Sequence, residues 1–566
     1  MLPEENAPNN GLTPRRPDLG GRSTVFGTRG AVACEHPLAA LAGIKVLDEG
    51  GNAADACVAM AALMAVLAPM ATGMGGDAFL LFYDAVSGRV LGANGAGRSP
   101  KAATIEKLRG RGLTEMPERG ELTVTVPGAV RLWEDAAERL GRLPLSRLLE
   151  PARQAAEGGY PVSEIVARYW KTGEDLLKRN GAAAATFLPG GRPPAPGELF
   201  RQPDLARTLA AVAEIGSGAF YEGEVARRIA GAVRAAGGYL SEEDLGGHEN
   251  VWVEPIHADY RGIRVYEIPP PGQGIAALEM LNVLEGFDLG ALDPTSAERI
   301  HLEVEAKKLA FRDLAEKIGD PDFVRVPTDR LLSGEYAASL RDRISPYLAG
   351  DVSAAPALGN DTTYLCAVDE RGNGCSFINS LYMGFGSGVV ADGTGVCLQN
   401  RGTSFRLVPG HPNALAPSKR PLHTIIPGLA TVNGALWATF GVMGGPMQPQ
   451  GHVQLLSNLI DFGMSPQEAV EAPRHFHGEG ARVMAANRAA SPQEAADGAP
   501  VSGEMLLVEG RVPETEVEKL RTMGHRVVVG SPYVIPVGGA QLIRVLDSGV
   551  RACGSDPRKD GCALAQ

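Results

Sequence analysis

Little in this chain points to a thiolate metal cluster, a nucleic-acid surface or a membrane. Seven cysteines, at 34, 57, 366, 375, 397, 553 and 562, include no Cys-x-x-Cys pair and their number is odd, which argues against a disulfide framework or a cysteine-based zinc site. Aromatic residues make up only 5% of the chain, and no block of lysine or arginine offsets a formal charge of -12. Nucleic acid and anionic bilayers are therefore poor partners. The longest apolar run, Ala53 to Pro69, contains Asp55 and ends in proline. It falls short of a membrane span and reads as a buried helix. The opening Met-Leu-Pro-Glu-Glu carries acids where a secretory signal carries lysines, with no apolar stretch behind it, so a cytoplasmic location is expected.

What is present is an enzyme-like composition: 44% apolar and 21% charged residues, with Gly 72 and Pro 41 supplying many tight turns. A length of 566 residues by itself suggests two or three domains. Residues 1–28, rich in Pro, Asn, Arg and Gly without periodicity, read as a flexible leader. A helical pattern (Leu38, Leu41, Ile44, Leu47) runs from Pro37 to the Gly50-Gly51 stop, and Ala53 to Pro69 forms the next helix. Phe79 to Tyr83 reads as a strand, residues 130–235 as mostly helical, and Val251 to Ile268 as strands. Ser296 to Lys317 is expected to be a long surface helix, with Glu298, Glu303 and Glu305 early and Lys307, Lys308 and Arg312 late, an order suited to the helix dipole. Thr362 to Val368 and Gly374 to Leu381 read as paired strands, as do Gly428 to Thr431 and Ala435 to Phe440 around Asn433-Gly434. Residues 485–503 read as an exposed loop.

Two segments carry chemistry. Asn360-Asp361-Thr362-Thr363 places a threonine pair at a strand start, directly after a loop of Ala, Pro, Gly and Asn. Attack of the Thr362 hydroxyl on the Asp361 carbonyl, followed by hydrolysis of the resulting ester, would leave Thr362 with a free α-amine. The reference pKa of such an amine, about 7.7 to 8.0, lets it act as base for its own hydroxyl. On its own the dipeptide is also ordinary strand material. Gly441-Val442-Met443-Gly444-Gly445-Pro446 follows directly on a strand, where two backbone N–H groups can converge on one oxygen as an oxyanion hole requires; Gly-Gly-Pro is equally common turn chemistry. Gly384-Phe-Gly386-Ser-Gly388 lacks the Lys-Ser/Thr and following helix of a phosphate loop. His475-Phe-His477 is half a metal site with no third ligand nearby in sequence, and Asp320 and Asp322 sit in turn chemistry.

Gly51-Asn-Ala-Ala-Asp-Ala56, Gly73-Met-Gly-Gly-Asp77, Thr125-Val-Pro-Gly128, Pro269-Pro-Pro271, Gly319-Asp-Pro-Asp-Phe323, Asp361-Thr-Thr363 and Phe385-Gly-Ser-Gly388 occur in the order seen in γ-glutamyltranspeptidases, and the resemblance spans about residues 26 to 560. It implies an α+β fold, the four-layer αββα sandwich of amino-terminal-nucleophile hydrolases. A large subunit (29–361) and a small subunit (362–566), cut from one precursor, would build it jointly and overrule the two-domain estimate. It further implies Thr362 as nucleophile and Thr363 as its helper, Gly444 and Gly445 as oxyanion donors, Asp361-Thr362 as the cleavage site, and Arg98 as the holder of a substrate carboxylate. No cofactor is implied. The partners implied are a small amide or peptide substrate and, through assembly, a homodimer of processed heterodimers.

The family's contacts to a substrate α-amine fall on different chemistry here. Tyr382 stands where the family carries Asn, Asn400-Arg401-Gly402-Thr403-Ser404 replaces an acidic stretch, and His423-Thr424 replaces a Ser-Ser pair. Loss of acids and gain of Arg401 make the pocket more positive. The expected substrate is an amide whose acyl group bears a carboxylate but no free α-amine, hydrolysed or transferred, as in a divergent branch that includes oxamate-type amidohydrolases and acylases. Tyr382, Arg401, Ser404, His423 and Thr424 are the candidate substrate contacts, and His452 is expected to be structural. The alternatives are a genuine γ-glutamyl hydrolase or transferase of glutathione, removal of an oxalyl-type group in biosynthesis, and an uncleaved binding protein.

Overall fold

The computed structural model describes residues 21–351, 361–479 and 503–566; the 485–503 loop expectation and most of the leader lie outside them. In chain order the elements that position the site begin with strands β1 (Val25–Gly27) and β2 (Ala31–Cys34), helices α1 (Pro37–Asp48) and α2 (Ala53–Leu67), and strands β3 (Asp77–Asp84) and β4 (Arg89–Asn94). Helices α3 (Ala129–Arg139) and α4 (Leu145–Gly158) precede β5 (Val251–Val253), β6 (Ile256–Tyr260) and β7 (Ile263–Glu267). There follow α5 (Gly274–Leu284), α6 (Ala297–Lys317), β8 (Asp361–Val368), β9 (Gly374–Tyr382), β10 (Gly428–Val432), β11 (Ala435–Val442) and α7 (Met447–Ile460). Helix α8 (Glu514–Thr522) and strands β12 (Ala540–Val545), β13 (Arg551–Ser555) and β14 (Cys562–Ala565) close the chain.

Two seven-stranded sheets, β1-β13-β12-β11-β10-β7-β6 and β14-β2-β8-β9-β3-β4-β5, lie face to face. Strand β3 shows why the sequence does this. Its alternate residues Ala78, Leu80 and Phe82 pack with the helices on one side, while Phe79, Leu81 and Tyr83 pack into the space between the sheets. A strand buried on both faces reads as a continuous apolar run. Tyr364, Ile378, Leu429 and Ile543 complete the inter-sheet core. Helices α1 to α4 cover one sheet, and α5, α6 and α7 cover the other. These are the four αββα layers expected from the resemblance. Among the described residues no helix is long and apolar enough to cross a membrane.

Local signals explain the element ends. The Asn52 side chain accepts from the Ala54 and Asp55 N–H groups at 3.0 and 3.1 Å, and Asp55 accepts from Asn52 N–H at 2.8 Å. This capping box starts α2 and accounts for part of the Gly-Asn-Ala-Ala-Asp motif without catalysis. The stretch read as a leader contributes Val25–Gly27, which pair with Arg551–Cys553 at a sheet edge. One expectation is corrected. Helix α6 is not a surface helix: Arg299, Glu303, Glu305, Lys307 and Lys308 are all buried, because each charge meets an opposite one. Arg299 bonds Glu303 at 3.1 Å, Lys308 bonds Glu305 at 2.6 Å, and Lys307 bonds Glu504 at 3.1 Å. Paired, hydrogen-bonded charges can be buried where isolated ones cannot.

Candidate active site

Thr362 lies near the start of β8, buried to 1% exposure. Asp361 pairs with Tyr382 and Thr363 with Asn379, so Ser380 and Leu381 of β9 together oppose Thr362. Such a bulge re-aims side chains, and it brings Ser380 Oγ to 3.0 Å from Thr362 Oγ1. Tyr382 just beyond it has φ of +83°, a left-handed conformation that is uncommon for a bulky residue. Two N–H donors converge on Ser380 Oγ: the Tyr382 backbone at 2.8 Å and Arg401 Nη2 at 3.3 Å. Ser380 Oγ is thus held in place beside Thr362 Oγ1, close enough for the two hydroxyls to share a hydrogen bond. That contact fixes the position of the Thr362 hydroxyl.

Arg401 opens a short helical turn (Arg401–Ser404) and is completely buried. Its Nη1 donates to Thr424 Oγ1 at 2.6 Å, and its guanidinium lies 4.1 Å from the centre of the Tyr382 ring. Among the described residues no carboxylate comes within ion-pairing distance, and Arg401 Nε is buried without a partner. Burial pushes the guanidinium down to about 10 from its ordinary value. Thr363 Oγ1, Tyr382 OH and Ser404 Oγ are also buried without partners among the described residues. Native interiors rarely leave such atoms unmatched, so each is available to a bound partner or an ordered water.

Gln273 Nε2 donates to both Thr424 O at 2.6 Å and Gly445 O at 2.7 Å. A continuous chain of bonds therefore runs from Gly445 through Gln273, Thr424, Arg401 and Ser380 to Thr362. Gly444 and Gly445 have φ of +124° and +57°, and their carbonyls accept from Met447 and Gln448 N–H at the start of α7. Their own N–H groups have no acceptor among the described residues, and a helix N-terminus directly behind them favours negative charge. The geometry suits an oxyanion site.

His423 is completely buried, its Nε2 3.0 Å from Asp77 Oδ2. Burial and then the Arg401 charge hold it down to about 4, so the imidazole is neutral. Asp77 also accepts from Gly97 N–H, Gly128 N–H and Gln399 Nε2 at 3.2, 3.1 and 2.8 Å. Gly76 beside it has no room for a side chain, since a Cβ there would sit 2.3 Å from Ser380 O. The Gly-Gly-Asp motif thus lets one backbone touch another and places a carboxylate behind His423.

Arg98 stands apart from this chain of bonds. Its Nη2 donates to Asp322 at 2.6 Å and its Nη1 to Ser418 O at 2.8 Å, with Asp320 3.7 Å away. His452 bonds Glu267 at 2.7 Å, deep between sheet and helix. Ser380, Asp77 and Gln273 join the candidate site through their hydrogen bonds and were not singled out by residue type. The signal for Ser380 was its place in the strand paired with Thr362, and Gln273 follows the quoted Pro-Pro-Pro segment.

A sequence profile described as Gamma-glutamyltranspeptidase matches residues 39–566. The chain belongs to this family. It is 39% identical to the glutathione hydrolase-like YwrD proenzyme of Bacillus subtilis, over 96% of this chain and 99% of the relative. It is 34% identical to the oxamate amidohydrolase proenzyme of Klebsiella pneumoniae, again over 96% and 99%. The crystal structure of a cephalosporin acylase from Bacillus halodurans superposes with a TM-score of 0.88 at 41% identity, covering 98% of each chain. The protein is accordingly an enzyme, an amidohydrolase of the amino-terminal-nucleophile type, and the expected fold is shown.

Proposed function

We propose that the chain cuts itself before Thr362 and then hydrolyses an amide whose acyl group carries a carboxylate and no free α-amine. The observation that carries this reading is Arg401, a buried guanidinium that makes no ion pair among the described residues, the Asp77 charge acting on it only from beyond ion-pairing distance, and that is joined to Thr362 Oγ1 through Ser380 Oγ. A buried unpaired cation costs several kcal/mol, and a substrate carboxylate would relieve that cost. A substrate ammonium at the same place would add to it.

Maturation begins with attack of Thr362 Oγ1 on the Asp361 carbonyl carbon. The C–N bond breaks to give an ester, and water opens the ester, leaving an Asp361 carboxylate and a Thr362 amine. In turnover that amine takes the Thr362 hydroxyl proton as the oxygen attacks the substrate carbonyl. The Gly444 and Gly445 N–H groups receive the oxyanion, the substrate's C–N bond breaks as its nitrogen takes the proton from the Thr362 amine and departs, and water deprotonated by that freed Thr362 amine opens the acyl ester to release the acid. Arg401 and Thr424, with Tyr382 beneath the guanidinium, hold the acyl carboxylate; His423 stays neutral and braces the wall through Asp77.

The names of the relatives support two chemistries. Oxamate and acylase substrates suit an acyl group without an amine, whereas glutathione hydrolysis requires an acidic partner for the γ-glutamyl ammonium. The test is intact mass and amino-terminal sequence of the purified protein, followed by turnover of glutaryl-p-nitroanilide, γ-glutamyl-p-nitroanilide and oxamate. The reading expects a fragment beginning Thr-Thr-Tyr-Leu-Cys, loss of cutting and activity in Thr362→Ala, and preference for glutaryl or oxamate. A preference for γ-glutamyl-p-nitroanilide overturns the substrate assignment, and an active uncut chain overturns the nucleophile.

A further inference from the structure

Helix α6 carries His301 and Glu305 four residues apart, hence on one face. The chain turns after α8 at Gly524, φ +96°, where His525 N–H returns to Leu520 O. That turn delivers His525 to the same face. His301, Glu305 and His525 are all buried, and one ligand-type atom from each lies within 4.8 Å of the others. His301 Nδ1 is 2.8 Å from His525 Nε2. His301 Nε2 is 2.7 Å from Ser345 O, and since a carbonyl only accepts, Nε2 bears the proton and Nδ1 presents its lone pair inward. A ring N–H held by a backbone carbonyl is how metal-bound histidines are oriented.

From this we propose that His301, Glu305 and His525 form a binding site for a divalent transition-metal ion of the zinc type, away from the Thr362 site. Two imidazoles and one carboxylate suit zinc, iron(II), cobalt or nickel far better than magnesium or calcium. Ligand atoms around a tetrahedral zinc lie about 3.3 Å apart, so the two histidine nitrogens open by about half an ångström to admit it. Lys308 is the built-in competitor. Its ammonium bonds Glu305 at 2.6 Å and Gly350 O at 2.9 Å, and the cation replaces it at the carboxylate while Gly350 O retains it. Lys307, 3.2 Å from His477 Nδ1, is matched by Glu504.

The site has a consequence that rests on cleavage before Thr362: His301 and Glu305 would belong to the large subunit and His525 to the small one. The ion would then bridge the two polypeptides. Glu305 also accepts from Gly350 N–H at 2.9 Å, so the bridge bears on the last described residues before the cleavage junction.

The test uses the full-length protein, stripped with EDTA and titrated with Zn²⁺ against a chromophoric chelator. Wild type is expected to bind one equivalent. His301→Gln and His525→Ala should each weaken binding by more than the roughly 10- to 100-fold typical of outer-sphere changes, while Lys308→Met should tighten it. Should the histidine variants fail to fold, wild type is read directly, by the visible bands of tetrahedral Co²⁺ and a rise in thermal midpoint with Zn²⁺. Absence of binding by wild type, binding that survives in both histidine variants, or wild-type protein with neither cobalt bands nor a midpoint shift overturns the site. Uncut Thr362→Ala should bind Zn²⁺ as well as wild type, whereas protection against separation of the two fragments in urea appears only in cut protein. Failure of the cleavage reading is thereby distinguished from failure of the site.

Discussion

Replacing Arg401 by glutamine separates the catalytic worth of its charge from its structural worth. A hydrogen bond to a charged group contributes about 1.5 to 3 kcal/mol net, and each 1.36 kcal/mol is a factor of ten in rate. Arg401→Gln should therefore lower kcat/KM for glutaryl-p-nitroanilide by roughly 10- to 150-fold. For pentanoyl-p-nitroanilide, which has the same chain length and no carboxylate, kcat/KM should fall clearly less, since the variant costs that substrate only the bonds to Ser380 and Thr424 and no bond to a carboxylate. Stability should hardly move. The stacking on Tyr382, about 2 kcal/mol when desolvated, and the bonds to Thr424 and Ser380 are set against a desolvation cost of several kcal/mol for an unpaired guanidinium. The assays are steady-state kinetics on both anilides and a urea melt of each protein. Equal losses on the two substrates, or a fall in stability of more than about 8 kcal/mol, would refute the reasoning, the latter because it exceeds what the stacking and two charge-assisted bonds supply.

Three further expectations follow from the same geometry. Ser380→Ala removes the hydroxyl 3.0 Å from Thr362 Oγ1 and should slow both maturation and turnover by about 10²-fold, the low end for lost proton management, read by gel densitometry and single-turnover kinetics. Gly444→Ala places a side chain at φ +124° and disturbs the proposed oxyanion donor, so kcat should fall about 10²- to 10³-fold with KM little changed. His36, His248 and His423 are each held down to about 4 by burial. Above pH 6.5 they are neutral whether folded or unfolded and contribute nothing to pH dependence. As pH falls from 6.5 to 4 only the unfolded chain takes up protons, so stability drops by up to ~3 kcal/mol per histidine and levels off below pH 4. Urea melts at pH 7, 5.5 and 4 measure the drop, and a flat profile would show that these rings are not buried neutral.

The layers of the fold were legible because burial on both faces writes itself into strands such as Phe79–Tyr83 and because Asn52 and Asp55 announce a helix start. The positions of Thr362 at a strand start and of Gly444-Gly445 just after a strand were legible because strand patterning and glycine pairs are written in residue type. Helix α6 was misjudged because its charges are neutralised partly by Glu504, 197 residues away in sequence, and a helical pattern carries no record of such partners. Ser380 escaped notice for a related reason: it reaches Thr362 only through a bulge, which is a choice of backbone register and not of side chain. Asp77 stood in plain view within a quoted motif, but its role emerges only when Gly97, Gly128, Gln399 and His423 are folded around it.

The strand orders of the two sheets interleave residues from before and after position 362: β2 touches β14 and β8, β9 touches β3, and β7 touches β10. A nick before Thr362 consequently leaves neither half with a complete seven-stranded sheet. The precursor folds as one molecule, with every pairing at the high effective concentration that a tether supplies. Once the tether is cut and the pieces are pulled apart, the same pairings become encounters between two incomplete chains with exposed strand edges. The mature enzyme would keep its shape as a memory of a continuous chain, one it could no longer reconstruct at the same rate after being unfolded.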